Sequence, residues 1–347
     1  MSEQTVDGHL LKTFEDLGFI TSSPQVLSLL QRAQRAAEAS DITVLLEGET
    51  GTGKQVLARS IHQLDQKRNS FPFVTVHCST ISEALAESEL FGHQRGAFSG
   101  AVCDRKGLFQ AAQHGTLLLD DVNDLPLPLQ PKLLDVIQRG TVRSVGSDKE
   151  IPIKVRIIAA CNQPLEPLVQ KGCFRADLFH RLNVVKISLP PLRERKDDMK
   201  RLILALAARH SRLYEPVIDV EPQLLTFLQS RLFPGNVREL ENAVQRMLFL
   251  KIEGSVLAMS DWAAQAGSEP GCTDQDLIAE AASAMWRAIS QRGVPYASAL
   301  LEIEKRVLEA AIQTGRSTRK ELAQRLQTSE RTLYYKMRAH GLSHTNP

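Results

Sequence analysis

The run Gly48-Glu49-Thr50-Gly51-Thr52-Gly53-Lys54 constrains this chain more than any other feature. It fits G-x-x-x-x-G-K, and its setting gives the match weight. A short β-branched run, Ile42-Thr43-Val44-Leu45-Leu46, precedes it, and a helical pattern over 54–62 follows. Strand, glycine turn and helix in that order form a cradle for phosphate. The glycines let backbone N–H groups turn toward phosphate oxygens, the helix N-terminus adds positive partial charge, and Lys54 neutralises the β and γ phosphates. Gln55 follows the lysine, where a Ser or Thr hydroxyl ordinarily helps hold Mg²⁺.

A second strand is expected to bring carboxylates to that cradle, and Leu117-Leu118-Leu119-Asp120-Asp121 does so. Asp120 falls where Mg²⁺ sits beside the phosphates of ATP, and Asp121 is the candidate to polarise the attacking water. The run over 155–160 ends at Cys161-Asn162, which places Asn162 to orient the γ-phosphate or the water. Arg175 and Arg181 stand six residues apart. Arginines near a nucleotide stabilise transition-state charge, although either alone reads equally as a surface ion-pair partner. Further apolar runs at 73–76, 116–119 and 184–189, with helical patterns between most of them, predict an α/β fold with a mainly parallel sheet. Beyond Pro190-Pro191 no convincing strand is expected, and residues 196–253 read as an all-α unit.

A length of 347 residues predicts two or three domains. With 43% hydrophobic and 24% charged residues, a wholly disordered or collagen-like chain is excluded. No apolar run of about 18 residues is present, so no spanning helix and no membrane partner are expected. The first residues lack a basic and then apolar leader, and the five cysteines show no C-x-x-C spacing. A cytoplasmic protein with reduced thiols is the expectation. The net charge is only +2, yet residues 301–347 hold nine Lys or Arg against five Glu. A small basic C-terminal module fits a nucleic-acid backbone, with a solvated helical surface as the alternative.

The ordered motifs together resemble the bacterial enhancer-binding proteins, the AAA+ ATPases that activate sigma-54 RNA polymerase. The most specific is Glu89-Leu90-Phe91-Gly92-His93-Gln94-Arg95-Gly96-Ala97-Phe98-Ser99-Gly100-Ala101, which looks like the family's ELFGH…GAFTGA loop with Ser99 for Thr. Leu189-Pro190-Pro191-Leu192-Arg193-Glu194-Arg195 and Pro234-Gly235-Asn236-Val237-Arg238-Glu239-Leu240 also fit. The resemblance implies that Gly96, Ala97, Phe98, Ser99, Gly100 and Ala101 touch sigma-54. It implies Walker A at residues 48–54, Walker B at Asp120 and Asp121, and sensor I at Asn162. Arg175 and Arg181 become arginine fingers reaching a neighbouring subunit, and Arg238 becomes sensor II from a helical lid. A homo-oligomeric ring, usually a hexamer, follows from shared sites. Expected boundaries are a short N-terminal arm at 1–18, an α/β nucleotide-binding part at 19–192, a lid at 193–253, a linker at 254–300 and a helix-turn-helix at 301–347. The arm is too short for a receiver or sensing domain, so control in trans is expected.

Four positions depart from the family. Asp121 replaces a Glu, His77 an Asn, Cys161 a Thr and Ser99 a Thr. His77, Asp121 and Cys161 are expected around the attacking water. In one reading His77, a longer donor, reaches Asp121, a shorter carboxylate, and hydrolysis survives at a normal or reduced rate. In the other, ATP binds and hydrolysis is poor, leaving a DNA-binding repressor or an inactive partner in a mixed ring. The tail resembles a Fis-type helix-turn-helix of three helices. Its last helix begins Ser329-Glu330-Arg331-Thr332, which makes Arg331 a base-contact candidate. Arg319, Thr332, Tyr335, Lys336 and Arg338 complete the expected DNA surface. Activation of the ordinary sigma-70 polymerase is a weaker alternative, disfavoured by the nearly intact loop.

Overall fold

The computed structural model describes residues 3–80, 83–210, 216–251, 254–266, 295, 298, 300–302, 304–306, 308, 323 and 330–340. It falls into two compact units, residues 1–267 and 268–347.

The first unit is built on a five-stranded parallel sheet: β1 (Val44–Glu47), β2 (Phe73–His77), β5 (Thr116–Asp120), β8 (Arg156–Cys161) and β9 (Val185–Ser188). The spatial order is β2-β5-β8-β1-β9. Side chains alternate across it, as a period of two requires. Val44, Leu46, Leu118, Ile158 and Ala160 face one core, and Leu45, Leu117, Leu119, Ile157 and Ala159 face the other. Both faces are covered, which is why these strands read as unbroken apolar runs.

On the first face lie α1 (Glu3–Asp16), α2 (Pro24–Glu38) and α3 (Lys54–Leu64). The expected N-terminal arm is therefore a helix. Leu10 and Phe14, one turn apart, are buried in this core with Phe19 behind them, and so the segment packs. Ser23 precedes Pro24 at the start of α2, where proline's fixed φ suits the first helical turn. The other face carries α4 (Glu83–Phe91), α5 (Leu108–Ala111), α6 (Gln130–Arg139), α7 (Glu166–Gln170) and α8 (Ala176–Leu182).

Two small antiparallel pairs were not expected: β3 (Gly92–His93) with β4 (Arg105–Lys106), and β6 (Thr141–Arg143) with β7 (Glu150–Pro152). They lack the apolar runs that mark core strands.

The lid holds α9 (Met199–His210), α10 (Pro222–Ser230), α11 (Asn236–Leu250) and α12 (Met259–Ala266). It also contains two-residue strands, β10 (Asp219–Val220) and β11 (Val256–Leu257), paired in parallel. The all-helical expectation beyond Pro191 is corrected to that extent, because strands of two residues leave no periodic signal. The boundary at 253 is also corrected. Leu257 is fully buried among the lid helices and Trp262 stacks edge-on against Phe227, so residues 254–266 pack as lid, not linker.

In the second unit the described residues include the helix Glu330–Ala339, with Leu333 and Met337 buried one turn apart. Among the described residues no helix is long and apolar enough to cross a membrane.

Candidate active site

The glycine loop leaves β1 and enters α3 through Gly53, whose φ of +107° opens the helix. At Gly51, φ is +80° and an added Cβ would stand 2.1 Å from the Gly235 carbonyl oxygen. Only glycine lets the lid backbone approach this closely. Lys54 is 7% exposed, and its Nζ donates to the Gly48 carbonyl at 2.6 Å and the Glu49 carbonyl at 3.0 Å. Burial lowers its pKa, while Asp120 and Asp121 act in the opposite sense.

The carboxylates arrive by sheet register. β2 and β5 pair with His77 opposite Asp120, and both side chains point to the α3 face. Gln55, on the first turn of α3, donates from Nε2 to Asp120 Oδ2 at 2.7 Å. His77 Nδ1 lies 3.2 Å from the same oxygen. The expected pairing of His77 with Asp121 is therefore corrected: the histidine meets Asp120. Side-chain parity is the reason. Asp121 is one residue further on, and its φ of +50° turns the chain away into the following 3₁₀ turn.

Asp121 is instead held by Asn162, whose Nδ2 donates to Oδ1 at 3.2 Å. Burial raises the pKa of Asp121, and the neighbouring charge of Asp120 adds to the rise. Cys161 turns into the apolar core and does not line the cleft. Its buried Sγ lies 3.7 Å from the Leu46 carbonyl, and burial pushes its thiol up to about 12. The donor set at Asp120, a buried carboxylate flanked by an amide, an imidazole and the Lys54 loop, fits a divalent cation bound with phosphate.

The lid is bonded directly to the loop. Val237 N donates to the Gly51 carbonyl at 3.0 Å, and Asn236 Nδ2 donates to the Thr50 carbonyl at 3.0 Å and to Glu49 at 3.2 Å. Asn236 is fully buried, and its Oδ1 accepts from Leu192 N at 2.8 Å. Arg193 forms a two-pronged pair with Glu49 at 2.8 and 2.7 Å, and buried Arg195 donates to the Thr52 carbonyl at 2.7 Å. Between loop and lid lies a cleft of about 260 Å³. Lys54, Gln55, Asp120, Asp121 and Arg238 line it on the polar side; Gly18, Ile20, Leu202, Leu206 and Val237 line an apolar side.

Arg175 and Arg181 do not line this cleft. Arg175 pairs with Asp177 at 2.7 Å, and Arg181 donates to the Ile137 carbonyl at 3.4 Å. Arg181 borders a pocket with Thr43 and Val155, which precede β1 and β8 and so mark the opposite edge of the sheet from the loop.

The loop at 94–104 rises from the β3–β4 pair. Gly96 N donates to the Ala101 carbonyl at 2.8 Å, and Ala101 N to the Phe98 carbonyl at 3.0 Å. These bonds close a tight turn that also carries Ala97, Ser99 and Gly100. Phe98 is 39% exposed, with its ring edge-on to His93 at 5.0 Å. The β6–β7 hairpin buttresses the base through Gln94 N to the Val145 carbonyl and Val145 N to the Gly92 carbonyl.

In the second unit Lys336 and His340 both meet Glu304, so Lys336 is engaged inside the unit rather than turned wholly outward. Thr332, Tyr335 and Arg338 lie exposed on the same helix. Arg319 and the Arg331 side chain lie outside the described residues.

Sequence reasoning missed Gly18, Ile20, Leu202 and Leu206, and gave no role to Asn236, Arg193 or Arg195. Gly18, next to the apolar pair Phe19-Ile20 ahead of the first recognised helix, was the one available signal.

A P-loop fold whose separate helical subdomain is hydrogen-bonded to the loop belongs to the AAA+ class of nucleotide-binding modules. Residues 19–188 match the sigma-54 interaction domain, 193–275 the AAA+ ATPase lid domain, and 299–340 the Fis family of bacterial regulatory proteins. The chain is 36% identical over 329 residues to the regulatory protein AtoC of Escherichia coli K12, covering 93% of this chain and 68% of the relative. It is 44% identical over 232 residues to the transcriptional regulatory protein GlrR of the same organism, covering 67% of this chain and about half, 52%, of the relative. The crystal structure of NtrX from Brucella abortus in complex with ATP superposes with a TM-score of 0.64 at 28% identity, covering 93% of this chain and 69% of that one. The chain belongs to the family of sigma-54-interacting AAA+ transcriptional regulators with a Fis-type DNA-binding domain.

Proposed function

We propose that the chain is an ATP-driven activator that binds an upstream DNA element and remodels the closed complex of sigma-54 RNA polymerase. The observation that carries this reading is the direct bonding of the lid to the phosphate loop by Val237, Asn236 and Arg193. A change at the phosphates therefore moves the lid and loop together. Lys54 exchanges its loop carbonyls for phosphate oxygens, Arg238 reaches the same cleft from the lid, and a purine rests between Ile20 and Leu206. Asp120 would hold the Mg²⁺ of the nucleotide, which supplies charge neutralisation at the phosphates. Asp121, oriented by Asn162, polarises the attacking water.

Arg175 and Arg181 complete the site of a neighbouring subunit in a closed ring, most simply a hexamer. That neither lines this chain's own cleft supports that role. The loop at 96–101 delivers the motion to sigma-54, with Phe98 as its apolar tip. The last helix contributes Thr332, Tyr335 and Arg338 to DNA, together with Arg331 and Arg319. Activity in the cytoplasm completes the proposal.

The test is steady-state ATP hydrolysis by the purified chain over a concentration series, with Lys54→Ala as control. Turnover per subunit that climbs with concentration and vanishes in the control is the expected result. ATP binding without turnover at any concentration overturns the motor reading in favour of a hydrolysis-poor DNA-binding regulator. The raised pKa of Asp121 and the placement of His77 on Asp120 are what would explain that outcome.

A further inference from the structure

We propose that His77 is a metal ligand: with Asp120 it offers two adjacent positions to a first-row transition dication bound together with nucleotide phosphates, and the cleft thereby favours Mn²⁺ over Mg²⁺. The inference rests on the reading that a nucleotide binds at the glycine loop.

His77 Nδ1 and Asp120 Oδ2 are 3.2 Å apart. Neighbouring ligands on an octahedral ion with bonds of about 2.1 Å stand about 3.0 Å apart, so the pair is already spaced to share one. The spacing is built into the sheet, because His77 and Asp120 are register partners at the carboxyl ends of β2 and β5. Asp120 is 6% exposed, and Gln55 Nε2 donates to the same Oδ2, fixing the carboxylate as an outer hydrogen bond fixes a ligand. His77 is half-exposed and free to adjust by the few tenths of an ångström required.

The residue after the P-loop lysine matters here. A Ser or Thr hydroxyl would supply a second hard oxygen to Mg²⁺. Gln55 has no hydroxyl and turns its amide nitrogen onto Asp120, and the imidazole stands beside the same carboxylate oxygen. Among the described residues no group of three or more His, Cys, Asp or Glu is placed to hold a metal alone. Phosphate oxygens and water must therefore complete the coordination, as is usual for nucleotide-bound cations. Mg²⁺ demands near-ideal oxygen coordination and keeps its water; Mn²⁺ shares the taste for oxygen but, as a first-row transition dication, accepts one imidazole nitrogen more readily. The metal takes the place of the Nδ1 proton, and the neutral ring carries its proton on Nε2.

The test uses the full chain, ADP as the nucleotide, and Mn²⁺ or Mg²⁺ as the cation. Pulsed EPR of the Mn²⁺·ADP complex reads directly bonded ¹⁴N. The cation concentrations that half-saturate ADP binding give the metal preference. The expected result is a ¹⁴N coupling in the wild type that is lost in His77→Asn, with the preference for Mn²⁺ over Mg²⁺ falling about tenfold in the variant. ADP bound with Mn²⁺ but without nitrogen coupling overturns the inference and leaves the nucleotide reading standing. Failure to bind ADP with either cation overturns both. The wild-type spectrum decides the matter even if His77→Asn folds poorly.

Discussion

Asn236 is the side chain on which the lid–loop junction depends most. It is fully buried, sits at φ +53°, accepts from Leu192 N and donates to the Thr50 carbonyl. Asn236→Ala leaves the Leu192 N–H and the Thr50 carbonyl without their partner. The buried Leu192 N–H costs about 1–3 kcal/mol when orphaned, and the Thr50 carbonyl, which is only partly buried, no more than about 1 kcal/mol. Alanine also lacks the local hydrogen bonding that lets asparagine occupy the left-handed region, which adds about 1–2 kcal/mol. The total, about 2–6 kcal/mol, is large for a single substitution. At roughly 2–4 °C per kcal/mol for a unit of this size, the melting temperature falls by about 4–24 °C. Asn236→Gly separates the parts, since it removes the backbone strain and keeps both orphaned groups. Thermal unfolding of the full chain with and without ATP measures the cost, and ATP affinity measures the consequence. An Asn236→Ala protein that melts within about 1 °C of wild type, with unchanged ATP affinity, would refute the reasoning.

Gly51→Ala forces a Cβ to 2.1 Å from the Gly235 carbonyl at φ +80°, so lid and loop must separate; lost ATP binding by calorimetry is expected, and retained affinity would contradict the close approach. Asp121 has its folded pKa raised above the unfolded value, so it favours the folded state below the unfolded pKa and that contribution is lost as pH rises through the folded pKa. Asp121→Asn is accordingly expected to melt higher than wild type at pH 7, the gap closing as the solution is acidified below the ordinary carboxylate range, while ATP hydrolysis is lost; an unchanged melting temperature at pH 7 counts against the assignment. Phe98→Ala removes a side chain 39% exposed, so stability should change by less than about 1 kcal/mol and ATP binding should persist while capture of sigma-54 fails; capture at the wild-type level would dismiss the loop as the contact.

The sheet was legible because its strands are buried on both faces and so print as apolar runs of four to six residues. The five core strands fall on the runs read at 42–46, 73–76, 116–119, 155–160 and 184–189. The two-residue strands left no trace, because pairing of that length needs no periodic side chains. Helix α1 was passed over for a similar reason: its core contact rests on Leu10 and Phe14 with Leu11 packed beside them, too few apolar positions to print a helical period. The phosphate loop was legible because glycine and lysine at fixed spacing are the chemistry itself. Most of the apolar side of the cleft was not, because Leu202 and Val237 are far apart in sequence and nothing local distinguishes them from ordinary core residues.

The sequence by itself determined what could bind: a glycine loop, a lysine, two carboxylates after an apolar strand, and a glycine-bounded loop carrying one phenylalanine. Those are local patterns, fixed by backbone conformations and side-chain types within a few residues. Only the tertiary structure decided which carboxylate meets which partner. Parallel register sets His77 opposite Asp120, and the left-handed turn at Asp121 hands that carboxylate to Asn162. Only the tertiary structure closed the lid on the loop through Asn236, a contact between residues 186 positions apart at Thr50. Long-range register and burial carry no local signature, and for that reason the substitutions at 77 and 121 looked like one matched pair in the sequence and stand as two separate contacts in the fold.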